Sequence, residues 1–204
     1  YEFMKDELYQ ELYREFRYDL PKWHAHIDRK TLIISFNEPE ILFERGQDQL
    51  KPLFNKILDD FYPRYIKILS GYKFRNDITE IRVEGHTSSE WNYNSTDYEA
   101  YINNMTLSQK RTAKVLNYLL NLKNIPHYSW AREKVISVGY SSSKIKMMAN
   151  LENKGASRRV EFRVVTNAEE KLYELIDALK KNQGQYAANK IEPNYNINSI
   201  ALRR

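Results

Sequence analysis

Two periodicities alternate along residues 31–165, and their order leaves few folds open. The short apolar run TLIISF (31–36) reads as a strand. DQLKPLFNKILDDFYPRYIKIL then places Leu50, Leu53, Phe54, Ile57, Leu58 and Phe61 at helical spacing. ITEIRVEG (78–85) alternates apolar with charged residues, as a half-buried strand does. In TLSQKRTAKVLNYLLNL the stripe is Leu107, Val115, Leu116, Leu119 and Leu120, and KVISVG (134–139) and SRRVEFRVV (157–165) close the series as strands. The order β-α-β-α-β-β predicts an α+β sandwich, with helices packed on one face of a mixed four-stranded sheet. Pro63 is expected to kink or divide the first of these helices.

Helical patterns flank this core. Residues 1–20 carry Phe3, Leu8, Leu12, Phe16 and Leu20 about one turn apart, and Pro21 ends the run. Leu172, Leu175, Ile176 and Leu179 form a last amphipathic stripe, and a polar tail begins near Asn182. The expected division is a helical linker over 1–30, a folded domain over 31–166, and a C-terminal helix and tail over 167–204.

Composition removes several function classes. No stretch of about 18 apolar residues occurs, so no transmembrane helix is expected within the chain. The start, YEFMKDELYQELYREF, lacks the apolar centre of a signal peptide. With no cysteine, disulfides, thiolate chemistry and cysteine-type zinc sites are excluded. The formal charge of +5 favours an anionic partner such as nucleic acid, anionic lipid or a cell-wall polymer. Lys and Arg are interleaved with Asp and Glu, which argues against nucleic acid. In SRRVEFR, strand alternation sends Arg159 and Arg163 to one face and Arg158 to the other.

IRVEGHTSSEW (81–91) raises the question of chemistry, because Gly85 ends a strand in a hydroxyl-rich turn of His86, Thr87, Ser88 and Ser89. Serine catalysis needs an oriented base, and no G-x-S-x-G elbow is present. His24, His26, His86 and His127 lack the H-E-x-x-H spacing, leaving His24 and His26 as a weak two-ligand pair. Neither Walker A nor dinucleotide-binding glycines occur. The expectation is therefore a binding protein, with no enzymatic activity, metal or cofactor. Residues 86–105 read as a long polar loop ordered by Trp91, Tyr93, Tyr98 and Tyr101, with Thr106 as N-cap of the following helix.

Four separated pieces then fit one family. IRVEGHTSS, LSQKRTAKVLNYLL, GASRRVEFRV and the upstream ILFERGQDQLKPLFNKIL, in that family's order, resemble the peptidoglycan-binding domain shared by OmpA, Pal and the flagellar stator protein MotB. The match spans about residues 31–166. It implies the same β-α-β-α-β-β fold and non-covalent binding of the diaminopimelate in the peptidoglycan stem peptide. Carried over, Arg111 matches the helix arginine that takes a carboxylate and Thr87 the family threonine. Arg158 or Arg159 is placed nearby by the paired arginines. Leu107 and Ser108 would lie at a helix N-terminus offering free N–H donors, and Ser88 and Asn104 complete the predicted set. Ser88 stands where the family has aspartate and Ser157 where it has asparagine. Glu90 and Asp97 are candidates to restore the missing negative charge.

Within the family the long loop and FYPRY look most like MotB-type stator subunits, including that of the anti-phage Zorya system. That resemblance implies a periplasmic homodimer, an inner-membrane helix upstream, a MotA-like channel partner, and residues 1–20 as the link from membrane to wall. The alternatives are an OmpA- or Pal-type outer-membrane anchor, and a protein-interaction module on this fold that has lost or gated wall binding.

Overall fold

The computed structural model describes residues 2–37, 39–44 and 46–188. It opens with α1 (Glu2–Phe16), β1 (Ala25–Ile27), β2 (Ile34–Phe36), the single turn α2 (Pro39–Leu42) and α3 (Pro52–Leu69). β3 (Ile78–His86), α4 (Asp97–Asn121), α5 (Tyr128–Lys134) and β4 (Val135–Gly139) follow. A small hairpin, β5 (Met147–Met148) and β6 (Leu151–Glu152), leads through α6 (Lys154–Ser157) to β7 (Arg159–Thr166) and α7 (Ala168–Ala188).

The main sheet has the order β1-β2-β7-β3-β4. Only β3 and β4 pair in parallel, Ile81 opposite Val135 through Gly85 opposite Gly139. That geometry requires a crossover, and α4 supplies it. β7 lies in the centre, antiparallel to β2 and to β3. The expected mixed sheet and helical layer are present, with one correction: the sheet has five strands. The added strand, β1, is three residues long and pairs with the outer side of β2. Three residues are too few to show a period.

Helix and sheet meet in an aromatic centre. Phe61 on α3 lies 5.1 Å from Phe36 of β2 and 5.0 Å from Phe162 of β7, ring centre to ring centre, both edge-on. Such contacts add about 0.5–1.5 kcal/mol each beyond the area they bury. Leu8, Leu12 and Phe16 of α1 are fully buried in the same cluster, with Phe16 5.2 Å from Phe61. Arg64 ties the α1 region to α3 by bonding Glu15 at 2.7 Å, Asp19 at 3.0 Å and Asp60 at 3.0 Å. The segment expected as a linker thus contributes to the core. Pro63 does not divide α3, which runs 18 residues. Phe61, Tyr62, Tyr65 and Ile66 around it are all buried, and that packing outweighs the lost backbone bond.

The chain separates into two compact units, 1–166 and 167–204. In the second, α7 carries the predicted stripe and continues as helix through Ala188, beyond the expected start of the tail at Asn182. The remaining tail, 189–204, lies outside the described residues. Among those described, no helix is long and apolar enough to cross a membrane.

Candidate ligand pocket at the end of strand β3

Two glycines let α4 lie close against the paired ends of β3 and β4. A Cβ on Gly85 would meet Thr112 Cγ2 at 2.8 Å and Ser108 O at 3.0 Å. On Gly139 it would meet the Gln109 backbone nitrogen at 2.5 Å. The strand end, the loop after it and one face of α4 are thereby held together.

α4 begins ten residues earlier than expected, its N-cap lying at Thr96 and not Thr106. Thr96 is its N-cap, in a reciprocal box: Glu99 N donates to Thr96 Oγ1 at 3.2 Å and Thr96 N donates to Glu99 Oε2 at 2.8 Å. The sequence signal was available, since Thr96-x-x-Glu99 is the capping-box pattern. The loop therefore spans 87–96, and Thr106 is an interior helix residue. This corrects the expectation for Leu107 and Ser108, whose backbone N–H groups sit well inside the helix and offer no free donors. Leu107 serves instead as an apolar wall of the cleft. Ser108 is structural: its hydroxyl donates to Met105 O at 2.9 Å and accepts from Ser141 N at 3.0 Å.

A cleft of about 500 Å³ opens between this loop, α4 and the segment around Phe43 and Gly46. Thr87, Ser88, Glu90, Asn104, Leu107, Arg111 and Arg158 line it. Thr87 is 4% exposed, and its hydroxyl is buried without a hydrogen-bond partner. Its N–H is bonded to Ser141 O at 2.9 Å, so the backbone beneath that hydroxyl is fixed. Asn104 is buried and shapes the loop, donating through Nδ2 to Ser88 O at 3.2 Å and Glu90 O at 3.0 Å.

Arg111 is held from the opposite side. Its Nε donates to Gln47 O at 2.8 Å and Nη2 to Glu44 O at 3.3 Å, and its guanidinium lies 4.7 Å above the Phe43 ring. Two carbonyls and a ring orient this cation. The paired arginines separate: Arg158 lines the cleft, half-buried, whereas Arg159 does not. Arg159 is spent on Glu161 at 2.6 Å and on the Ser157 and Lys144 carbonyls at 2.9 and 3.2 Å. The expected strand alternation holds, with Arg159 and Arg163 both bonded to carboxylates beneath the cleft.

Of the two candidate anions, Glu90 lines the cleft and Asp97 sits in the first turn of α4, where its charge suits the helix dipole. The Glu90 carboxylate lies between Lys154 Nζ at 2.6 Å and Arg158 Nη1 at 3.3 Å. Ser89 fastens the same loop to β6, its N–H and hydroxyl both donating to Glu152.

Below the cleft, sequence reasoning missed a buried ion network. The His86 ring stacks on Tyr140, centroids 5.0 Å apart. His86 Nε2 lies 3.2 Å from Glu161 Oε2 and 3.5 Å from Glu84 Oε2, off the axis of a directed hydrogen bond. Arg163 bonds the other Glu84 oxygen at 2.7 Å, and Ser35 bonds Glu161 at 3.1 Å. Burial pushes both carboxyls up, but the facing His86 and one arginine each outweigh it, and both are held below the usual carboxylate range. Glu84, His86 and Glu161 can converge three ligand atoms. Each carboxylate is already matched by an arginine, so a divalent cation would bury excess positive charge, and the group is better described as structural. His26 shares Nδ1 with the Asn37 amide at 3.1 Å, and His24 and His26 form no three-ligand group among the described residues.

A family model described as the OmpA family matches residues 42–161, more than half of the 204-residue chain. The chain belongs to the OmpA family. The matched span of this OmpA-family chain contains every residue that lines the cleft. Zorya protein ZorB of Escherichia coli (strain ATCC 8739) is 46% identical to it over 178 residues, covering 86% of this chain and 75% of the relative. Among solved structures, a putative MotB-like protein from Desulfovibrio vulgaris is similar in fold, with a TM-score of 0.55 at 20% identity, covering 79% of this chain and 94% of the other. The cell wall anchor of the T6SS from Pseudomonas aeruginosa gives a TM-score of 0.51 at 18% identity, covering 76% and 96%. The OmpA-family fold expected from the four sequence pieces is thereby established.

Proposed function

We propose that this OmpA-family domain binds peptidoglycan non-covalently, by holding the diaminopimelate of the stem peptide in the cleft after β3. The observation that carries the reading is the Thr87 hydroxyl, buried, unpartnered and lining the same cleft as Arg111 and Arg158. A buried hydroxyl without a partner costs about 1–3 kcal/mol, which a ligand oxygen recovers. Arg111, pre-oriented by two carbonyls and Phe43, offers charge to one carboxylate. Arg158 serves a second anionic group, and Glu90 faces the ammonium that Ser88 no longer neutralises. No nucleophile, base or metal is required, and the reading is of a binding protein rather than an enzyme.

In the cell the domain anchors a MotB-like stator to the wall. The similarity to ZorB supports an anti-phage setting, and that to a cell wall anchor supports the attachment. The domain then works in the periplasm as a homodimer, joined upstream to an inner-membrane helix and a MotA-like channel subunit.

Co-sedimentation with purified sacculi tests the proposal, using the wild type, Thr87→Val, Arg158→Ala and Arg111→Ala. Wild-type pelleting that falls in all three variants, with unchanged circular dichroism, is expected. A wild type that stays in the supernatant while an OmpA control pellets would sink the reading, and the fold would then be serving a protein partner.

A further inference from the structure

A second groove lies one step further along α4. It has a volume of about 290 Å³ and is lined by Asp48, Gln49, Leu50, Asn55, Lys114, Asn117 and Tyr118. It differs in chemistry from the carboxylate cleft. Its two charged side chains, Asp48 and Lys114, are of opposite sign, and its other polar groups are the amides of Gln49, Asn55 and Asn117. The Asn55 Oδ1 atom is buried without a hydrogen-bond partner. Tyr118 contributes an aromatic ring whose hydroxyl is fixed on Asp59 Oδ1 at 2.5 Å. Such a lining suits an uncharged ligand that both donates and accepts, and an N-acetylated sugar does so through its hydroxyls and acetamido group.

Position narrows the ligand further. The two recesses share the 43–50 segment and successive turns of α4: Asn104, Leu107 and Arg111 line the cleft, and Lys114, Asn117 and Tyr118 the groove. Seven residues of α-helix separate Arg111 from Tyr118, about 10 Å at the usual rise. In peptidoglycan the diamino acid is the third residue from the sugar. The two intervening residues span about 7 Å when extended, and the lactyl ether adds a length comparable to one more. We infer that this groove takes an N-acetylhexosamine of the glycan strand while the cleft holds the diamino acid of the attached stem peptide. The inference rests on the peptidoglycan reading above. It makes the domain a reader of the junction between sugar and peptide, where a loose peptide fragment fills only half the site.

Calorimetry on the whole chain separates the two claims. The probes are the free stem tetrapeptide and the same tetrapeptide on its N-acetylglucosaminyl-N-acetylmuramyl disaccharide. The wild type is expected to bind the disaccharide form about tenfold more tightly, the effect of one or two net hydrogen bonds. A Gln49→Ala/Asn117→Ala double variant, changed only at exposed positions, should lose that difference and keep its tetrapeptide affinity. Equal wild-type affinity for the two ligands, or a difference that survives in the double variant, overturns the groove while leaving the cleft intact. If the tetrapeptide fails to bind at all, the cleft reading falls, and N,N′-diacetylchitobiose decides the groove alone. Shifts of the Asn55 and Asn117 side-chain amide resonances on adding that sugar uphold it, and unchanged resonances overturn it.

Discussion

Asn104 holds the backbone of Ser88 in place from 16 residues away, its Nδ2 donating to Ser88 O at 3.2 Å and, from the same nitrogen, to Glu90 O at 3.0 Å. One buried amide therefore sets the position of both loop residues that carry the family's altered charge. Asn104→Ala should leave those carbonyls unsatisfied and cost about 1–3 kcal/mol in urea unfolding. Sacculus binding should fall by more than that stability loss explains, because the loop wall moves. Unchanged binding would mean the loop is held by Ser89 and Glu152 alone.

The proposed diaminopimelate site makes the charge of Glu90 a determinant of ligand choice. With Glu90→Gln the anion proposed to face the ammonium is gone, and Lys154 and Arg158 each lose one carboxylate contact. Affinity for a diaminopimelate tetrapeptide should drop several-fold, the scale of an exposed charge contact. A tetrapeptide whose diaminopimelate amine is acetylated should bind the variant and the wild type about equally. A variant that loses both ligands alike would assign Glu90 to loop structure only.

The carboxylates beneath the cleft give the fold an acid limit. Glu84 and Glu161 are both lowered in the folded state. Their stabilisation is complete above the unfolded carboxylate value of about 4.3 and is lost as pH falls through the folded values. Melting temperature should therefore fall on going from pH 5 toward pH 2. Glu161→Gln should be less stable at pH 7 by about 3–5 kcal/mol, since it leaves Arg159 facing no charge. Its melting temperature should also depend less steeply on pH, and an equally steep profile would mean other groups set the acid limit.

The early start of α4 is open to a direct check. Thr96→Ala removes one half of the capping box and should cost about 1 kcal/mol, within a range of 0.5–2. Amide exchange over 97–103 should quicken while that over 106–121 stays protected. Slow exchange throughout would show that packing, and not the cap, sets this end.

Gly139→Ala should be more damaging than its size suggests. The new methyl would lie 2.5 Å from the Gln109 nitrogen, and α4 would have to move off the sheet. A loss of about 1–3 kcal/mol is expected in chemical denaturation, with weaker ligand binding as the cleft widens. A neutral outcome would show that α4 shifts freely.

Much of this protein was legible in its residues alone. The alternation of periods two and 3.6 specified the order of strands and helices, because both periods are local properties of the backbone. The pieces around Gly85, Arg111 and Arg159 pointed to the family, and even the cap at Thr96 and Glu99 could have been read from its spacing. Tertiary structure decided what those residues do. Nothing local shows that Arg111 directs two of its guanidinium nitrogens to carbonyls 64 and 67 residues upstream. Nor does adjacency reveal that Arg158 faces the cleft while Arg159 is buried with Glu161 and His86. The three-residue strand β1 exists only because β2 offers it an edge to pair with. Period is written within a few residues, whereas the partner of a charge is chosen by the approach of distant segments, which only the packed chain brings together.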